Sequence, residues 1–204
     1  MVDECTYDHM AAALSPHLNG EQLALIRRAY ELAEAVHETQ MRDEGTPYIR
    51  HPLRVALALV DELEVTRPAL VCAALLHDVI EDSPDYYAHG PVTRADVSRE
   101  FGEEVAELVW LLSKFEDVTL PAYLAAIEEA AATGAPLVKL ADRLDNLRSL
   151  VRSSKVDKIR RYIRTTEIFY LPMAARTNRY LYGELKRLLE AARRHLADVT
   201  REAP

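Results

Sequence analysis

A histidine-aspartate pair, His77-Asp78, is followed one helical turn later by an acidic pair, Glu81-Asp82, within the run AALLHDVIED. Both offsets are four residues, so on a continuous helix His77 sits below Glu81 and Asp78 below Asp82 on one face. The stretch before them, Pro68 to Leu76, is apolar almost all round, the pattern of a buried helix. A histidine and three carboxylates at the end of such a helix are costly unless they are paired or bound to a metal. The chemistry expected at this helix end is that of a metal and catalytic site.

Two more residues extend the set. His51 precedes Pro52 at a helix start that follows a flexible loop, and Asp142 lies on a later helix. With His77 and Asp78 they supply two imidazoles and two carboxylates, a donor set suited to a first-row divalent ion with water in the remaining positions. Thiolate ligands are missing from it, which counts against structural zinc. Mn²⁺ suits the set, and Fe²⁺ or Zn²⁺ fits the same ligands. Taken singly, a histidine before a proline is usually a surface or capping residue, and Asp142, Glu81 and Asp82 read equally well as solvated faces.

The elements that must position these residues all read as helices. Asn19 caps a helix whose apolar positions run Leu25, Ala29, Leu32, Ala33, Val36 and which ends near Gln40. A loop carrying Gly45 and Pro47 follows, and Pro52 and Pro68 suit the first positions of two further helices, the former reaching about Leu63. Ser83-Pro84 ends the buried helix, and SPDYYAHGP is a loop. Thr93 with Asp96 resembles a capping box for a short helix interrupted at Gly102. Helices over Glu103 to Phe115 and Thr119 to Ala132 come next, the latter stopped at Gly134. From Pro136, an apolar stripe (Leu137, Leu140, Leu144, Leu147, Val151) runs beside a polar one (Lys139, Asp142, Arg143, Asn146). Helices over Lys155 to Tyr170 and Met173 to Val199 complete the chain, with the leucines of the last one expected in the core or on a partner. The expected fold class is all-α, one domain over residues 1–204, with no strands or repeats.

Composition narrows the function. The formal net charge of −8 argues against sequence-independent nucleic-acid binding, although it leaves room for a small anionic substrate. The longest apolar runs are too short to cross a bilayer, and the acidic N-terminus lacks the apolar core of a signal peptide. Cys5 and Cys72 are far apart, so reduced thiols in a cytoplasm are expected.

The ordered blocks HETQMRDEGTPYIRHPLRVA, AALLHDVIED, FGEEVAELV, VKLADRLDNLRSL and TEIFYLPMA resemble the HD-domain metal-dependent phosphohydrolases. More closely, they resemble the hydrolase domain of the RelA/SpoT homologues, which degrade the alarmone (p)ppGpp; the first block is similar to that family's HxxQxRKxGxPYIxHPLxVA. The likeness covers roughly Arg28 to Arg176. It implies an HD-type helical bundle with the metal on His51, His77, Asp78 and Asp142, and Glu81 and Asp82 as catalytic carboxylates. It brings Arg42, Tyr48, Lys139, Arg143, Asn146 and Ser149 to the nucleotide. The chain runs to Pro204, where large bifunctional members continue, so the resemblance implies a stand-alone small alarmone hydrolase, monomeric or homodimeric, that serves the stringent response or neutralises the product of a toxic synthetase.

The chain departs from the family pattern at three places. Asp43 stands where lysine is usual and reverses a local charge, Asp145 stands where histidine or tyrosine is common, and Ser149 replaces threonine while keeping a hydroxyl. Residues 83–100 also form a longer segment, whose Tyr86, Tyr87 and His89 read as solvated packing or as a lid. These departures keep rival substrates open: an adenine alarmone (ppApp), or the 2′-phosphate of NADPH. A nucleotide sensor without turnover is the reading from another class; the presence of both Glu81 and Asp82 ranks it last.

Overall fold

A computed structural model describes residues 5–202; the N-terminal residues bearing part of the signal-peptide reading and the terminal Pro204 lie outside the described residues. Its centre is the helix α4 (Pro68–Leu76), in which every residue from Ala69 to Leu76 is buried. Pro68 opens it without sacrificing a hydrogen bond, since the first amides of a helix have no partner. Four helices pack around α4: α2 (Gly20–Val36), α3 (Arg50–Leu57), α7 (Glu103–Leu112) and α9 (Ala135–Leu150). The expected all-α class is observed, and among the described residues the sole extended pairing is an isolated antiparallel bridge between Met41 and Pro47.

Both expected caps form, and the Asn19 cap proves to be a full capping box like that of Thr93. Asn19 accepts from the Gln22 amide and Gln22 returns the bond, and Thr93 and Asp96 do the same for α6 (Arg94–Phe101). The last helices differ from the single long one expected over Met173 to Val199. α10 (Val156–Thr165) passes through a π-helical stretch, Thr166–Tyr170, into α11 (Leu171–Thr177), and Asn178 then breaks the chain. Asn178 is extended (φ −156°) and its side chain accepts from the Leu181 amide, so it caps α12 (Arg179–Glu202). The α12 residues Leu181, Leu185, Leu188 and Leu189 enter the core against α9, α10 and α11. The helix α1 (Tyr7–Leu14), capped by Thr6 and burying Met10 and Leu14, lies where the sequence carries too short a pattern to be read.

The largest correction concerns the acidic motif itself. His77 and Asp78 do not continue α4: they form a turn, and α5 (Val79–Tyr86) starts afresh from Asp78. His77 Nδ1 hydrogen-bonds the Ala74 carbonyl at 2.8 Å, so the side chain occupies one of the last acceptors of α4 and ends it. Asp78 and Asp82 keep their one-turn relation within α5, through an Asp82 amide to Asp78 carbonyl bond, whereas His77 and Glu81 belong to different helices. A second correction is that Pro84 does not end α5. The helix runs on to Tyr86 at the loss of one amide donor, and Ser83 accepts the Val92 amide to hold the loop that follows. Likewise, α3 starts at Arg50, so Pro52 is its third residue, and α3 gives way to a π-helical turn at Ala58–Glu62 before Leu63. The following helices are shorter than expected, with α7 ending at Leu112 and α8 spanning Leu120–Glu129.

Gly134 sets where α9 enters the core. It adopts φ +88°, and a Cβ there would lie 2.8 Å from Leu70 Cδ1 in buried α4. Gly134→Ala is expected to destabilise the protein by roughly 1–3 kcal/mol in urea unfolding, and an unchanged midpoint would show that α4 and α9 are not held in register here.

Candidate active site

Four elements converge beside the α4–α5 break. His51 is the second residue of α3, His77 ends α4, Asp78 opens α5, and Asp142 lies midway along α9. His51, His77 and Asp78 each bring a donor atom within 4.8 Å of the others. The two imidazoles meet edge to face, with ring centres 5.2 Å apart. His51 Nε2 lies 3.3 Å from Asp142 Oδ1 and 3.8 Å from Asp78 Oδ2. Tyr48 donates its hydroxyl to Asp78 Oδ2 at 2.8 Å, and Lys139 Nζ pairs with Asp142 Oδ2 at 2.8 Å.

The residues fit a divalent cation. With Nδ1 of His77 committed to the Ala74 carbonyl, its Nε2 is buried and makes no hydrogen bond, although Asp78 Oδ2 is 3.2 Å away. A buried nitrogen without a hydrogen-bond partner, facing carboxylates, is what a ligand position offers, a bound cation taking the place of the proton that nitrogen otherwise carries. His51 is arranged alike: Nδ1 meets Asp145 Oδ2 at 2.7 Å, and Nε2 faces the cluster. Burial opposes a charge on His77, but Asp78 and Asp142 outweigh it and push the imidazole up to about 9. Burial likewise opposes ionisation of Asp142, and Lys139 with the two histidines holds it well below the usual carboxylate range.

Glu81 and Asp82 stand in the first turn of α5. Glu81 accepts the Lys114 amide at 2.8 Å, and Asp82 accepts from Gln40 Nε2 at 3.0 Å. Gln40 in turn contacts His37 Nδ1 through Oε1 at 2.6 Å, and the His37 ring packs on Tyr48 with centroids 4.7 Å apart. Glu81 keeps contact with solvent, yet packing around its carboxyl and the nearby Asp78 outweigh the Lys114 amide and raise it to about 7. Burial and Asp78 raise Asp82 to about 6. Carboxyls poised this close to neutrality can both release and recover a proton.

The expected nucleotide-facing residues fall into two groups. Arg42 donates to Asn146 Oδ1 at 3.0 Å, and Asn146 donates to Asp142 Oδ1 at 2.5 Å, so both adjoin the cluster. Arg143 lies on the Tyr170 ring (3.8 Å to its centre) with Tyr162 at 4.6 Å, and its buried Nη1 has no hydrogen-bond partner. Ser149 lies farther out, lining a small cavity of about 70 Å³ with Asn146, Asp43, Arg152 and Lys158. Asp43 does not leave a negative charge standing there. Lys155 and Lys158 both reach it at 2.7 Å and hold it at about 2. Arg148 points elsewhere, gripping Glu62 at 2.6 and 2.7 Å.

Three residues that adjoin the site had been given no role in it from the sequence. His37 and Gln40 stand in the first family-like block, and Asp145 is one turn beyond Asp142 on the polar stripe of α9. Their pairing could not be foreseen, because it depends on α3, α5 and α9 being neighbours.

Known proteins resemble this chain over most of its length. An HD-domain family model matches residues 29–178. The bifunctional (p)ppGpp synthase/hydrolase SpoT of Escherichia coli K12 is 35% identical over 182 residues, covering 83% of this chain and 24% of that protein. The chain thus spans about a quarter of the length of the bacterial relatives it matches. A human guanosine-3′,5′-bis(diphosphate) 3′-pyrophosphohydrolase is 36% identical over 184 residues, covering 87% of this chain and 95% of the human protein. A solved structure, described as a metazoan ortholog of SpoT that hydrolyzes ppGpp and plays a role in starvation responses, superposes with a TM-score of 0.68 at 28% identity; the match covers 85% of this chain and 97% of that one.

The raised carboxyls predict a pH effect on the metal-free protein. Between the ordinary glutamate value and about 7, folded Glu81 holds a proton that the unfolded chain has released, so its contribution is lost as pH rises through that window. Glu81→Gln should therefore match the parent in thermal melting near pH 4 and melt higher at pH 8. A constant difference between the two at all pH values would contradict the raised carboxyl.

Proposed function

The chain belongs to the HD-domain family, and from that premise we propose that it is a metal-dependent hydrolase removing the 3′-diphosphate of (p)ppGpp-type alarmones as pyrophosphate. One observation carries the reading: two carboxyls raised to about 7 and 6 stand beside two buried histidines, the buried Asp142 and the half-buried Asp78, with a histidine nitrogen left unpaired. The relatives named for this activity include one matched over nearly its whole length.

His51, His77, Asp78 and Asp142 would hold the ion, for which Mn²⁺ is our choice. When bound, a divalent ion supplies Lewis acidity that makes phosphorus more electrophilic and water easier to deprotonate. Glu81 and Asp82 then act as proton acceptor and donor: one carboxylate takes the proton of the attacking water, and a carboxyl near neutrality can return it to the departing ribose oxygen. Gln40 holds one Asp82 oxygen through its amide. Arg143, stacked on Tyr170 with a free Nη1, and Lys139 would offset diphosphate charge, while Asn146 and Arg42, bonded to each other beside Asp142, would meet the ribose and base. Tyr48 holds Asp78, and Ser149 lines the outer cavity beside Asn146. The same reading makes a small nucleotide the partner, with neither nucleic acid nor membrane, and places the protein in a cytoplasm as monomer or homodimer. The net charge of −8 supports its nucleic-acid clause, and no helix among the described residues is long and apolar enough to cross a membrane.

Metal-stripped protein incubated with ppGpp, pppGpp, ppApp or NADPH tests the proposal, with products separated by ion exchange. Pyrophosphate release that requires added Mn²⁺ is the expected outcome, and Glu81→Gln should lower kcat by about 10²- to 10⁴-fold while nucleotide still binds. Orthophosphate from NADPH alone would move the assignment to a cofactor phosphatase, and binding without any turnover would make the protein a sensor.

A further inference from the structure

Asp145 is a buried carboxylate with no place in the ligand set, and it stands where the family pattern carries another residue type. Its Oδ2 lies 2.7 Å from His51 Nδ1, and both side chains are 2% exposed. Arg54 fixes the carboxylate from the other side, with Nε donating to Oδ1 at 2.6 Å and Nη2 to Oδ2 at 3.1 Å. Arg42 Nη1 adds a third positive contact at 4.0 Å.

We propose that Asp145 is a positioning residue for the metal site: by accepting the Nδ1–H of His51 it leaves Nε2 with the bare lone pair, directed at the space shared with Asp78 and Asp142. The inference rests on the reading that this site holds a divalent ion. Asp145 cannot follow a rotation of the ring, because Arg54 holds both of its oxygens. It also lies one turn beyond Asp142 on α9, so one helix supplies a ligand and sets the angle of another. The two imidazoles are thus oriented by unlike groups. His77 bonds a neutral backbone carbonyl, whereas His51 bonds a carboxylate, which makes its Nε2 the more basic donor. A purely structural role, tying α3 to α9 through Arg54, would need only the Arg54–Asp145 pair and not the His51 bond.

Titration of metal-free protein with Mn²⁺, with free ion followed by electron paramagnetic resonance, separates these roles. Asp145→Asn should weaken Mn²⁺ binding by about 10- to 100-fold, whereas Arg54→Met, which keeps the His51–Asp145 bond, should weaken it far less. Equal losses in both variants, or none in Asp145→Asn, would overturn the proposal. Imidazole nitrogen NMR of the unaltered protein gives a check that needs no variant to fold: His51 Nδ1 should carry a proton, and a bare Nδ1 would refute the role. Wild-type protein that takes up no Mn²⁺ at all would instead remove the metal reading, and this inference with it.

Discussion

Two imidazoles and two carboxylates are set against the wall of a helical core, and the cost of desolvating them governs their surroundings. Four pairings around the cluster answer that cost. Lys139 meets Asp142, Tyr48 meets Asp78, the Ala74 carbonyl meets His77, and Asp145 meets His51. In the metal-free protein the residual negative charge draws a proton onto His77 well above its ordinary range. A bound cation would take over that proton's role, which couples metal uptake to proton release.

The same cost explains the local fold. α4 is apolar on every side because it is enclosed by α2, α3, α7 and α9. At its end polar groups approach both α3 and α9. The break at His77-Asp78 turns α5 away from α4 and places Glu81 and Asp82 in a first helical turn. Their carboxyls are crowded by protein and by Asp78, which raises both and equips them for proton transfer.

Much of this was legible from residue types and spacing. The Asn19 cap, Pro68 and the Thr93–Asp96 capping box marked the starts of α2, α4 and α6, and the family-like blocks singled out the four candidate ligands, which the structure brings together. The α4–α5 break was not legible: no glycine or proline marks it, and it follows from a side chain taking a backbone acceptor. Asp145 was read as a departure because its partners, His51 and Arg54, lie more than ninety residues away in sequence. Asp43 was read as a reversed charge because Lys155 and Lys158 reach it from beyond the end of α9. In each case the missing information was which helices are neighbours.

The central claim is that this cluster is a metal site and not a buried ion-pair network. Anomalous diffraction from crystals of the protein soaked in Mn²⁺ tests it most directly. The account predicts an anomalous peak within coordinating distance of His51 Nε2, His77 Nε2, Asp78 and Asp142, absent from an Asp78→Ala variant. A peak elsewhere, or none in crystals whose solution sample has turned over ppGpp, would contradict it.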